Sequence, residues 1–187
     1  YRAQKANLYF SLFAFFFLNS CLARIFFFLY SHTVNAKFYF ANISLDLIPI
    51  GYFFLLTAIY FLFDQKRGKL YWSLMALIVI AFVFTAYAYG WGWLIGGPLM
   101  QLLVVLNVTY IAMLSRRRNK RGSWIMVAGS IICLIFFVGF ILQRKYSDES
   151  FGLNLSIIRA ITYVLSVLTI PAATSIYLGL DFAFINR

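Results

Sequence analysis

Charge is scarce in this chain of 187 residues, at 11%, and acid is scarcer, with 5 Asp and Glu against 16 Lys and Arg. Soluble domains are about a quarter charged and about half apolar, whereas this sequence is 64% hydrophobic and 21% aromatic. That composition excludes a water-soluble globular domain. The excess of +11 does not make a nucleic-acid binder, because phosphate and base contacts need a folded aqueous face and these cations sit between apolar runs. Only two cysteines occur, Cys21 and Cys133, both inside apolar stretches, where they read as small buried hydrophobes and not as a disulfide or metal pair. The single histidine, His32, has no second imidazole or CxxC beside it, which excludes zinc, bis-His haem and metalloprotease sites. HExxH, GxSxG and an intramembrane carboxylate pair are all missing, and every lysine lies in an expected tail or loop, out of reach of a retinal Schiff base. No enzyme signature and no cofactor follow from these residues.

Long apolar runs are what the sequence does contain. Stretches able to cross about 30 Å of hydrocarbon recur at 7–30, 45–63, 70–89, 93–114, 124–142 and 154–180. Their apolar residues fill every face, as in helices bathed in lipid, and runs such as Phe15-Phe16-Phe17-Leu18 lack the alternation of a membrane barrel. The expected fold is therefore all-α, a polytopic transmembrane bundle of six helices forming one domain over 1–187. Gly90-Trp91-Gly92-Trp93 and Gly96-Gly97-Pro98 mark a tight uncharged turn between the third and fourth helices. The two sets of three helices show no repeat of the kind that transporters built from related halves display.

Cations sort between alternate loops. Arg2 and Lys5 precede the first helix; Lys66, Arg67 and Lys69 lie between the second and third; Arg116, Arg117, Arg118, Lys120 and Arg121 lie between the fourth and fifth; Arg187 follows the sixth. The opposite loops hold only Lys37, Arg144 and Lys145. By the positive-inside rule both ends of the chain are expected in the cytoplasm, with these clusters as topology anchors against the lipid bilayer.

Intramembrane arginine is expensive and normally faces protein, water or a partner. Arg24 and Arg159 are each expected about six residues from the outer boundary, roughly 9 Å deep at 1.5 Å per residue. Asp46, at the expected outer start of the second helix, is the nearest carboxylate, and Asn19, Gln101 and Asn154 extend the polar set. Arg24, Asp46, Gln101 and Arg159 either line an outward-opening cavity for an anionic or polar ligand or serve assembly by snorkelling and pairing. Pro171 breaks one backbone bond in the sixth helix, as a hinge for signal relay or as a static bend.

The stretch Ile170-Pro171-Ala172-Ala173-Thr174-Ser175-Ile176-Tyr177-Leu178-Gly179-Leu180-Asp181-Phe182-Ala183 resembles the last membrane helix and exit segment of bacterial seven-transmembrane receptors with diverse intracellular signalling modules. Thr169 stands where such chains more usually have serine. The opening Tyr1-Arg2-Ala3-Gln4-Lys5-Ala6-Asn7-Leu8-Tyr9-Phe10 is similar to the inner loop entering that family's second helix. The resemblance implies helices two to seven of a seven-helix receptor in a bacterial inner membrane. It also implies a cytoplasmic output module in the same chain, a histidine kinase or SpoIIE-type phosphatase, and a homodimer through a coiled C-terminal linker. A start at Tyr1 and a stop at Arg187 are expected of an excised piece. Against the sensor stands a small transporter or channel subunit, for which Asn107 and Thr109 are the inner polar candidates.

Overall fold

A computed structural model of the chain describes residues 2–29, 34–87, 99–117, 122–146 and 153–185. Those residues form six α-helices and no strand: α1 (Arg2–Leu29), α2 (Val34–Leu62), α3 (Lys69–Tyr87), α4 (Met100–Arg117), α5 (Ser123–Tyr146) and α6 (Leu153–Ile185). The all-α expectation is met. Two segments, Gln4–Ala23 and Ser123–Gln143, are long and apolar enough to cross a membrane; the apolar parts of α2, α3 and α6, Asp46–Leu62, Lys69–Val83 and Val164–Leu180, are shorter.

The helices run past the apolar stretches. α2 begins at Val34, eleven residues before the expected Leu45, and α6 continues beyond Leu180 to Ile185. Asn35, Lys37 and Asp181 sit in these extensions, because a polar side chain lowers hydropathy without breaking the backbone ladder. Lys5, Lys37, Lys69 and Lys145, expected in tails or loops, accordingly lie inside helices, each near an end. The expected turn at Gly90–Pro98 falls outside the described residues.

The chain divides into two compact units, Tyr1–Val104 and Val105–Arg187. In the first, α2 is the central helix, and Leu55, Leu56, Thr57, Ala58, Ile59 and Tyr60 are buried in one unbroken run. α1 packs antiparallel on one side. Its buried Ala6, Phe13 and Ser20 recur every seven residues, the period that keeps one seam against a neighbouring helix. The ring of Phe16 stacks on Phe54 at 5.3 Å, and that of Tyr9 on Phe61 at 5.4 Å. Such pairs add about 0.5–1.5 kcal/mol beyond their area. α3 contributes Tyr71, Leu74, Met75, Ile78 and Ala81 to the core at spacings of three, one, three and three, a single helical stripe.

The reversal from α2 to α3 is closed by backbone geometry. Gln65 N donates to Tyr60 O at 3.0 Å and Asp64 N to Phe61 O at 3.3 Å, the paired bonds of a Schellman cap. Asp64 takes the left-handed position with φ 52°, a conformation that short polar side chains tolerate better than most.

In the second unit, α5 and α6 form an antiparallel pair. Buried Met126, Ser130, Cys133, Phe137 and Phe140 on α5 follow a 4-3-4-3 spacing, and Ser166, Ile170, Ala173 and Tyr177 on α6 follow 4-3-4, the seam of knobs-into-holes packing. Small residues bring the backbones close: Gly129 lies directly against Ala173, and a Cβ at Gly139 would stand 3.6 Å from Thr162. At the start of α5, Gly122 takes φ +76° and packs on the ring of Tyr177.

Candidate functional site

The four expected ligand-binding residues are distributed as follows. Asp46 is half-buried and lies inside α2, about three turns past Val34 and not at the helix start. Gln101 is buried in the first turn of α4. Arg24 is on α1 and Arg159 on α6, but their side chains lie outside the described residues, as does that of Asn154. Asn19 spends its amide inside α1, where Nδ2 donates to Phe15 O at 2.8 Å. Arg159 belongs to the second unit and the other three candidates to the first.

Pro171 is half-buried within a helix that continues on both sides of it. Proline deprives the carbonyl of Val167, four residues earlier, of its donor. Side chains attend the neighbouring carbonyls: Thr169 Oγ1 donates to Leu165 O at 2.5 Å, Thr174 Oγ1 to Ile170 O at 2.8 Å, and Cys133 Sγ, from α5, to Ser166 O at 2.9 Å. α5 also grips α6 beyond the proline, where Gly129 meets Ala173, Thr174 Oγ1 lies 3.6 Å from Met126 Sδ, and Gly122 meets Tyr177. On the other side, Gln143 Nε2 reaches Thr162 Oγ1 at 3.4 Å. α6 is thus fastened to α5 both before and after Pro171. A pivot at the proline has to carry α5 with it or break this seam.

Among the topology anchors, Lys66, Arg67, Lys69, Arg116 and Arg117 are exposed, while Arg118, Lys120 and Arg121 lie outside the described residues. Arg116 and Arg117 occupy the last turn of α4, where cations complement the helix dipole. Arg67 is different. Its guanidinium carbon lies 4.4 Å from the ring centre of Phe61 and 5.4 Å from that of Tyr71. Lys5 Nζ approaches the Phe61 ring at 6.0 Å. The Tyr71 ring is fixed in turn, edge-on to Tyr60 at 4.7 Å and with its hydroxyl 3.1 Å from Thr57 Oγ1 in a buried hydrogen bond. Sequence reading treated these cations as equivalent and missed the ring contacts. The signal available was Phe61 and Tyr71 flanking the basic turn.

α4 carries three buried polar side chains in the second unit, Asn107, Thr109 and Ser115. Thr109 Oγ1 donates to its own helix at Val105 O, 2.7 Å away. Asn107 Oδ1 and Ser115 Oγ have no hydrogen-bond partner among the described residues. Those residues contain no cluster of three or more metal-ligating side chains.

Comparison with protein families, with curated proteins and with solved structures finds no significant match. The likeness of the two chain ends to receptor segments therefore rests on those residues alone.

Proposed function

We propose that this chain is the membrane-embedded sensing segment of a bacterial signalling protein, a six-helix bundle with both ends cytoplasmic that couples a periplasmic or in-membrane cue to an output module in the same chain. Embedding is supported by apolar side chains exposed on several helices, such as Phe15 on α1, Trp72 on α3 and Ile135 on α5, which are 60%, 62% and 64% exposed. Soluble monomers rarely carry large exposed apolar surface. The sorting of cations to alternate loops supports the orientation.

One observation carries the signalling reading: the long α6, clamped to α5 on both sides of Pro171. At 1.5 Å per residue its 33 residues extend about 50 Å, well beyond about 30 Å of hydrocarbon, and its last turns hold the receptor-like exit stretch. A helix that leaves the bilayer while locked to a partner passes on a displacement as a rigid lever. A cue that binds one bundle arrangement more tightly than another shifts their populations by that difference in affinity and by no more. Arg24, Asp46 and Gln101 in the first unit, and Arg159 in the second, are the proposed receiving residues, each taken within its own unit, and the α5–α6 pair is the proposed relay.

The experiment is a two-sided accessibility map of the full chain in inner-membrane vesicles, followed by Arg159→Leu. Single cysteines at 66, 117 and 187 in a background lacking Cys21 and Cys133 react with impermeant maleimide from the cytoplasmic side only. A tag at 187 that is reached from outside intact cells removes the proposal. Arg159→Leu keeps the fold and abolishes the response to the cue; an unchanged response assigns the arginines to assembly.

A second reading, a small transporter or channel subunit, is favoured by Asn107 and Ser115, whose shielded oxygens lack partners on α4. Polar atoms buried in this way call for water or a solute. Liposome flux that depends on Asn107 would establish it.

A further inference from the structure

The turn between α2 and α3 sets Lys66, Arg67 and Lys69 within four residues, all exposed, and none of the three forms an ion pair or hydrogen bond through its side chain among the described residues. The turn is rigid. Its start is locked by the Schellman cap at Asp64 and its end by Gly68 N donating to Lys66 O at 2.9 Å. Arg67 is held by Phe61 and Tyr71, and ring contacts of this kind leave all five guanidinium N–H donors available.

The turn carries three cations against one acid, Asp64. α3 starts at Lys69 with no acid in its first turn, so a lysine stands at the positive end of the helix dipole, where an anion belongs. Nothing lies within 4 Å of the Cβ position at Gly68, which leaves space beside the cations. Leu70 and Trp72 follow immediately, 51% and 62% exposed. Three cations without an ion pair among the described residues, close to an exposed leucine and an exposed indole, match an amphiphile with an anionic head, and tryptophan is a usual companion of lipid headgroups.

We infer that this turn is a binding site for the phosphate of an anionic phospholipid, with Arg67 as the oriented donor and Lys66 and Lys69 as flanking charges. The inference rests on the membrane-embedded reading above. It differs from a general attraction of basic loops to anionic lipid in requiring the guanidinium and not merely its charge.

The test places the full chain, with Trp91, Trp93 and Trp124 replaced by Phe, in vesicles containing brominated phosphatidylglycerol or brominated phosphatidylcholine. Quenching of Trp72 reports which lipid sits at the turn. Phosphatidylglycerol is expected to be preferred, and Arg67→Lys to lower that preference roughly tenfold, the scale of a charge-assisted hydrogen bond. Lys69→Gln, which touches no ring, lowers it about fivefold, as loss of one cation near an anionic surface does. Equal preference in wild type and Arg67→Lys overturns the site, as does a preference abolished by millimolar inorganic phosphate, which would identify a free-anion site instead. Quenching by brominated phosphatidylcholine is the control for insertion. Its absence in the wild type removes the membrane reading itself, and its retention in Arg67→Lys separates a lost site from a lost fold.

Discussion

Gly129→Ala probes the α5–α6 seam where it is tightest. A Cβ at this position would collide with the Cβ of Ala173 and stand 3.6 Å from Thr169 O. The helices must part or shift, and overpacking of this kind costs about 1–3 kcal/mol. Alanine alone would favour the helix by up to about 1 kcal/mol over glycine, so the proper reference is Gly139→Ala, where the new methyl meets Thr162 Cγ2 at an ordinary 3.6 Å. The two variants should therefore move stability in opposite directions. Cys133 supplies the assay, because it is fully buried at the same seam and hydrogen-bonded across it. In a Cys21→Ser background its maleimide labelling rate reports opening, and each 1.4 kcal/mol is about tenfold in that equilibrium. Gly129→Ala is expected to speed labelling about tenfold, Gly139→Ala to leave or slow it, and the double variant Gly129→Ala with Ala173→Gly to recover most of the loss, by a coupling of about 0.5–3 kcal/mol. Equal labelling of the two single variants, or no recovery in the double, would refute the register described for α5 and α6.

In the first unit, Tyr71→Phe removes one partner of the buried bond to Thr57 but leaves Thr57 bonded to Phe53 O at 2.8 Å. A loss near the low end of about 1–3 kcal/mol is expected, read by thermal unfolding. Thr57→Val with Tyr71→Phe should cost little more than Tyr71→Phe alone, since neither then leaves a stranded group. Cys21, read from the sequence as buried, is exposed and should react in the native protein with a membrane-permeant maleimide, whereas buried Cys133 should react far more slowly, at the rate at which the seam opens, as mass spectrometry of the labelled peptides would show. Gly179→Ala, which meets nothing within 4 Å, should stabilise α6 by up to about 1 kcal/mol in the same thermal assay; a loss would mean that another surface covers this face.

The helical class, and the order of the helices among the described residues, were legible because apolar runs as long as Leu12–Leu18 or Ile131–Leu142 have few other uses. Helix ends were not. Hydropathy locates where a segment is apolar, whereas Val34–Ser44 is helical despite Asn35, Lys37 and Asn42, whose backbone bonds are as good as those of leucine. The α5–α6 seam is written in the sequence as a 4-3-4-3 series from Met126 to Phe140, but apolar residues on every other face conceal it from any reading based on periodicity of hydropathy. Ranking Arg67 above its neighbours was out of reach for another reason. Its contacts depend on the left-handed step at Asp64 that folds the turn back over Phe61, and no propensity argument places an aspartate there with certainty.

Both antiparallel pairs, α1 with α2 and α5 with α6, join helices that follow one another directly in the chain. Such local pairing keeps loop closure cheap and assembly fast. During synthesis each hairpin can zip shut as soon as its second helix leaves the ribosome, so the earlier half need not wait, half-formed and vulnerable to proteases, for the arrival of the later one.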